Sequence, residues 1–298
     1  MGVVYDAHDP KLERRVAIKA VLAPSLKQRF EREVRAAARL NHPNIVQVYD
    51  FGAEGDLAYI VMERVEGREL KHYFDAQERF DLETVLGLMR DLLEALHFAH
   101  EAGIIHRDVK PANVMVAGAR AKLMDFGVAH YTDPEGKELE ATRAGTLVGT
   151  PAYMSPEQIQ GQLGDRRSDI FSAGIVLYQM LTWTKPFQGT QWELAKKIVE
   201  EDPVWPSEIV QVPPDLDRVV ARALAKTPGL RYPTARAFAE ALERVTQVAS
   251  EAEKEFWDGV KDSEDAEEVA LYIAQFPRGA FVSLAEQKLA ALRARAKP

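Results

Sequence analysis

The residues with the clearest chemical potential form one run, His106-Arg107-Asp108-Val109-Lys110-Pro111-Ala112-Asn113, followed twelve residues after Asn113 by Asp125-Phe126-Gly127. Acids, an amide and a lysine in this order suit phosphoryl transfer from a metal-bound nucleotide. That chemistry needs one carboxylate to grip the metal ions, an amide oxygen to complete the second metal's shell, and another carboxylate to accept a hydroxyl proton. Asp125, Asn113 and Asp108 fit those three jobs in turn.

Groups so far apart in the chain need a scaffold to bring them together. The 298 residues, 46% hydrophobic and 28% charged, are enough for a two-lobed fold with a substantial core. Residues 3–8 and 14–22 read as strands joined at Asp9-Pro10, and 26–40 as a helix that stops before Asn41-His42-Pro43-Asn44. Strands at 45–51 and 57–63 then complete a small antiparallel sheet with one helix. Beyond Glu66-Gly67 the period turns helical, with runs at 83–102, 168–182, 191–201, 215–226 and 234–248 around a polar, loop-rich middle. The run 168–182 is almost wholly apolar, which predicts burial on all sides. The fold class is α+β: a small β-rich lobe at 1–66, a larger helical lobe at 67–248, and a short helical tail at 249–298.

Composition removes several other functions. With 38 Lys and Arg against 46 Asp and Glu, the net charge of −8 argues against sequence-independent nucleic-acid binding. The absence of cysteine excludes disulfides, thiolate catalysis and cysteine-ligated zinc. His97 and His100, three apart on an apolar helix, fit ordinary packing better than metal binding. No apolar run approaches the ~20 residues that cross a bilayer, and the start lacks a signal-peptide pattern, so a cytoplasmic protein without membrane contact is expected.

With its two motif blocks in this order, the chain resembles the eukaryotic-like (Hanks-type) serine/threonine protein kinases of bacteria, Lys110 pointing to the serine/threonine branch. The resemblance implies a bilobal protein-kinase-like fold that uses ATP with Mg or Mn and acts on Ser and Thr hydroxyls of proteins. It makes Asp108 the base, Lys110 the residue that steadies the γ-phosphate, and Asn113 and Asp125 the metal ligands. In Val16-Ala17-Ile18-Lys19, Lys19 would reach the α- and β-phosphates, with Glu33 as its counter-charge in preference to Glu31. Gly2, Val4 and Ala17 complete that side of the nucleotide site. Met62-Glu63-Arg64-Val65 matches the hinge, with Met62 gating the pocket behind the adenine and Glu63 and Val65 beside it. His106 and Arg107 would be architectural and regulatory, Arg107 receiving a phosphate from the segment 128–157. Thr142 and Thr146 are the phosphorylation candidates there, and Thr150 would hydrogen-bond near Asp108 and Lys110. The resemblance also pairs Glu157 with Arg231 and sets Asp169 under the catalytic loop.

Beside the mild departure of Ser155-Pro156-Glu157, which stands where the family usually shows Ala-Pro-Glu, two features set the chain apart from the family pattern. Of the phosphate-covering loop G-x-G-x-x-G-x-V only Gly2-Val3-Val4 stands here, so that either the start is assigned too late or the first strand and two glycines are lacking. In the second case ATP binding should be weak and the small sheet should carry a bare apolar edge. Two functions follow, an active kinase or a pseudokinase scaffold that binds partners; retention of Lys19, Glu33, Asp108, Asn113 and Asp125 favours the kinase. The tail is acidic in its first half and basic at its end, with apolar residues such as Trp257, Tyr272 and Leu284 at helical spacing. It reads as two or three short helices folded as a hairpin, similar to one tetratricopeptide unit, able to pack, self-associate or hold a partner protein.

Overall fold

The computed structural model describes residues 3–22, 34–54, 57–126, 151–276, 279 and 281–295. They form two compact units, Met1–Ala241 and Leu242–Pro298. In the first, a four-stranded antiparallel sheet runs in the order β1-β2-β4-β3, from β1 (Val3–Asp9), β2 (Arg14–Leu22), β3 (Val48–Glu54) and β4 (Leu57–Glu63). The register sets Val4 opposite Lys19 and Ala17 opposite Met62. Side chains alternate along a strand and directly opposed residues share a face, so Val4, Ala17, Lys19 and Met62 lie on one side of the sheet. Val3, Val4 and Tyr5 on the outer strand are each more than half exposed.

β3 begins three residues later than hydropathy predicts. The reason is that Ile45 and Val46 pair elsewhere: Val46 N donates to Leu123 O at 2.9 Å and Leu123 N to Asn44 O at 2.8 Å. An apolar run therefore serves two sheets in succession. Of the helix expected at 26–40, residues 34–37 are helical, and 26–33 lie outside the described residues.

The second sheet, β5 (Arg68–Glu69), β6 (Val114–Ala117) and β7 (Arg120–Leu123), was not visible in the polar middle of the sequence. Its strands are at most four residues long, too short for an alternation signal. A short helix α1 (Leu70–Asp75) follows β5.

Helix α2 (Leu82–Glu101) starts where Asp81 accepts from Thr84 N at 2.8 Å, and buries Val85, Leu88, Met89, Leu92, Leu93 and Leu96 at three- and four-residue spacing. After the four-residue α3 (Pro156–Ile159) comes α4 (Arg166–Thr182), the apolar run of the sequence, in which every residue from Ser168 to Thr182 is buried. It ends at Trp183, whose φ of 60° is left-handed. Gly174 lets α4 lie close to α7 (Asp215–Ala223): a Cβ there would meet Ala223 Cβ at 2.9 Å. Between them lie α5 (Gln191–Glu200), opened by a Thr190/Glu193 capping box, and α6 (Pro206–Ile209).

Helix α8 (Ala235–Val260) runs on well past residue 248, so the composition change at 248/249 falls inside a helix, and the compact units divide instead after Ala241. In the second unit, α9 (Ala266–Gln275) and α10 (Val282–Arg295) form a core of Trp257, Val260, Val269, Tyr272 and Ala285 with the end of α8. Among the described residues no helix is long and apolar enough to cross a membrane.

Candidate active site

The hairpin β6–β7 explains how residues twelve apart in sequence meet. Asn113 immediately precedes β6, and Asp125 lies two residues after β7. Val114 is in register with Leu123, and Met124 N donates to Asn113 O at 2.9 Å, so both ends of the hairpin emerge together. Gly118, with φ of 60°, makes the reversal.

Within the 106–113 loop the side chains interlock. Lys110 Nζ lies 2.6 Å from Asp108 Oδ2, and Asn113 Nδ2 donates to the same oxygen at 3.0 Å and to Asp108 O at 2.8 Å. Lys19, brought by β2, donates to Asp125 Oδ2 at 2.6 Å, and both side chains are about four-fifths buried, at 20% and 18% exposure. An ion pair that is sheltered but still wetted is a reachable charge site. It ties the sheet to the loop after β7. Met62 lines an apolar recess with Val34, Val46, Val48 and Ile60 that ends at Asp125 and Phe126.

The loop's backbone is held from below. Asp169, fully buried on α4, accepts from His106 N at 2.8 Å and Arg107 N at 2.7 Å. His100 Nε2 lies 2.8 Å from the same carboxylate. This clamp holds Arg107 at φ 63°, and Asp125 likewise adopts φ 63°. Left-handed non-glycine residues cost of order 1 kcal/mol or more and persist where the surroundings over-determine them. His106 Nε2 sits 2.9 Å from Met124 O, and its ring packs edge-on against Phe126. His100 was left to packing by the sequence reasoning; its three-residue spacing from His97 hid a buried link to Asp169.

Glu157 and Arg231 form a bidentate pair with both N–O distances 2.7 Å, and Ser168 Oγ adds a donor to Glu157 at 2.6 Å. Gln158, which sequence reasoning passed over, donates from Nε2 to Arg107 O at 2.9 Å and accepts from Ser155 N. It joins α3 to the 106–113 loop.

The structure thus brings together Lys19, Asp108, Lys110, Asn113 and Asp125. Ala17 and Met62 share the face of the sheet that carries Lys19, and Val4 sits on that face at the exposed outer strand. Glu63 at the end of β4 receives Lys122 Nζ at 2.5 Å, and Val65 follows as a half-buried residue whose carbonyl accepts from Gly67 N. Gly2, Glu33, Gly127, Thr132, Thr142, Thr146 and Thr150 lie outside the described residues.

A metal would meet oxygen donors of the right kind. Among the described residues, Asn113 Oδ1 and Asp125 Oδ1 have no hydrogen-bond partner, while the other polar atoms of both side chains are engaged. One carboxylate and one amide oxygen form a hard, oxygen-only donor set that suits Mg or Mn and leaves coordination for phosphate and water.

A family model described as the protein kinase domain matches residues 1–243. The chain belongs to the protein kinase family. It is 43% identical over 276 residues to the serine/threonine-protein kinase PknB of Mycolicibacterium smegmatis, which covers 88% of this chain and 44% of that protein. A probable serine/threonine-protein kinase of Streptomyces coelicolor is 41% identical over 247 residues, covering 79% of this chain and 36% of that one. The chain therefore spans less than half the length of these curated relatives. Among solved structures, the crystal structure of Rad53 in complex with AMP-PNP superposes with a TM-score of 0.68 at 26% identity, covering 80% of this chain and 61% of the other. In this kinase frame, the β-rich lobe carries Lys19 and the helical lobe carries the His106–Asn113 loop.

Proposed function

We propose that this kinase domain transfers the γ-phosphate of ATP to serine and threonine hydroxyls of proteins. The observation that carries the proposal is the joint placement of Asp108, Lys110 and Asn113 on one loop, with Asp125 held to Lys19 across from them. Relatives at 41–44% identity are named serine/threonine-protein kinases, and the superposed Rad53 is in complex with an ATP analogue.

In this reading Asp108 accepts the proton of the attacking hydroxyl, and the Lys110 ammonium beside it offsets charge that gathers on the transferred group. Asn113 has two tasks: its Nδ2 holds Asp108 in place and its Oδ1 is offered to a metal. Lys19 carries positive charge to the α- and β-phosphates, with Asp125 as its tether and a metal ligand. Bound Mg or Mn would neutralise phosphate oxygens. Met62, Glu63 and Val65 edge the adenine site, with Val4 and Ala17 closing it from the sheet. Gly2 and Glu33, which lie outside the described residues, belong to that set only by the family resemblance. Positioning and charge stabilisation supply the rate, because no covalent intermediate is needed. The cytoplasm, where ATP and Mg are plentiful, is the proposed setting.

The test is phosphate incorporation from Mg-ATP, read by intact mass and phosphopeptide mapping, beside an Asp108→Asn variant. Loss of a positioned general base lowers turnover by about 10²–10⁴-fold. Modification at Thr142 or Thr146 is expected in the unsubstituted protein alone. Equal incorporation by the two proteins overturns the assignment of Asp108.

A further inference from the structure

Away from the proposed active site, an open cavity of about 410 Å³ on the first unit is lined by four arginines, Arg166, Arg167, Arg222 and Arg231, and by one acid, Asp165. Two of the arginines are already committed. Arg231 uses Nε, Nη1 and Nη2 on Glu157 and on the carbonyls of Ala225, Arg167 and Lys226. Arg167 grips Asp165 through Nε and Nη2. Both guanidiniums are thus held in place, each paired with a carboxylate.

The other two arginines are available at the wall. Arg166 comes no closer to a carboxylate than Glu101 at 3.9 Å, beyond hydrogen-bond length, and its side chain is 44% exposed. Among the described residues Arg222 has no carboxylate partner, and its guanidinium lies 4.5 Å from the Tyr232 ring centroid. Four guanidiniums thus face three carboxylates, Asp165, Glu157 and the more distant Glu101, within a chain whose overall charge is −8. Like charges gathered against the trend of the whole molecule repel one another and attract anions into the concavity.

The positive excess, with Arg222 free of any carboxylate among the described residues and Arg166 only loosely paired, suits a phosphate monoester, whose oxygens guanidinium forks match in pairs. A nucleotide fits less well, because a base needs an open ring to stack on. Tyr232 is covered by Arg222 on one side and stacked on Phe238 with centroids 4.9 Å apart. Gly229, also on the lining, has nothing within 4 Å of a would-be Cβ, leaving room for a main chain to pass.

We propose that this cavity docks a phosphorylated serine or threonine side chain of a protein. The choice of a polypeptide over free phosphate rests on the kinase reading above, since that activity makes such groups. The pocket would let the kinase hold a previously phosphorylated protein while acting elsewhere on it.

The test is binding of a fluorescein-labelled Gly-Ala-phosphoserine-Ala-Gly peptide to the full chain without nucleotide. Its unphosphorylated form serves as control and inorganic phosphate as competitor, with Arg166→Gln, Arg222→Gln and Arg107→Gln variants. The expected result is binding of the phosphopeptide alone, weakened about tenfold by Arg166→Gln or Arg222→Gln, unmoved by Arg107→Gln, with unchanged melting temperatures. Phosphate should compete only at far higher concentration. Equal binding of both peptides, insensitivity to Arg166→Gln and Arg222→Gln, or loss with Arg107→Gln would overturn the proposal, as would competition by phosphate at peptide concentrations. Intact binding with no phosphate transfer would count against the catalytic reading alone.

Discussion

Replacing Glu157 by Gln isolates one charge in the core of the helical lobe. The Arg231 side chain is 0% exposed and that of Glu157 7%, so neither can turn to water when its partner is lost. Gln keeps the shape and one acceptor oxygen, but it presents an amide N–H₂ to a guanidinium nitrogen that now donates to Glu157 Oε2 at 2.7 Å. Arg231 stays charged and buried. Removing one partner of such a pair costs about 3–5 kcal/mol. For a domain of this size the melting temperature should fall by roughly 6–20 °C. Substituting both partners, as Glu157→Leu with Arg231→Met, should not restore stability here, because Arg231 also satisfies the carbonyls of Ala225, Arg167 and Lys226. Each buried carbonyl left without a donor costs about 1–3 kcal/mol. The sign with pH follows from Glu157 itself. Burial raises its pKa, but hydrogen bonds from Arg231 and Ser168 outweigh burial and hold it below the ordinary 4.5. The pair's contribution is therefore complete above pH 4.5 and is lost as pH falls through the lower folded value. Urea unfolding of wild type and Glu157→Gln between pH 3 and 8 measures this directly. A loss under about 1 kcal/mol at pH 7, or a gap that widens as pH falls below 4.5, would refute the reasoning.

Asp169→Asn exchanges an acceptor for a donor beneath His106 N and Arg107 N; phosphate transfer should fall by an order of magnitude or more while ATP binding, measured by calorimetry, changes little. Lys226 is held at a pKa of about 8, chiefly by burial, with Asp202 opposing and Arg231 adding to the shift. The unfolded chain binds the extra proton between that value and 10.5, so stability should rise with pH across the window. In Lys226→Met, urea unfolding from pH 7.5 to 10.5 should lose that rise. In the second unit, Tyr272 donates to Glu253 at 2.6 Å and accepts from Phe281 N at 3.3 Å. Tyr272→Phe should cost about 1–3 kcal/mol there, seen as faster hydrogen exchange in α9 and α10 with no change in phosphate transfer.

The parts of this fold that were legible in sequence are those whose periodicity is long. Helix α4 announces itself because fifteen consecutive residues, Ser168 to Thr182, have no solvent face, and β2 and β4 because β-branched residues recur within them. The β6–β7 hairpin was illegible for the opposite reason: four-residue strands cannot establish a period, although they set the distance between Asn113 and Asp125. The start of β3 was misplaced because Ile45 and Val46 are buried by pairing with Leu123 rather than with β4. Hydropathy reports that a residue is covered, not by what.

The residues proposed for the chemistry, and Asp169 through the family resemblance, could be named from the sequence, whereas the supports Gln158 and His100 could not, and the difference is physical. Asp108, Lys110 and Asn113 lie within one loop, so their order alone constrains their geometry to a few ångströms. The residues that hold that loop come from elsewhere in the chain, and each acts through only one or two contacts: Asp169 through two backbone amides, Gln158 through the Arg107 carbonyl, His100 through Asp169. Together they impose the left-handed φ of Arg107, which the loop would not hold unaided. Both α4, which carries Asp169, and α3, which carries Gln158, converge on that one residue. Glu157, next to Gln158, anchors the same short helix to Arg231. A loss of the Glu157–Arg231 pair should therefore be felt at Arg107 through Gln158, lowering phosphate transfer even at temperatures where the domain remains folded.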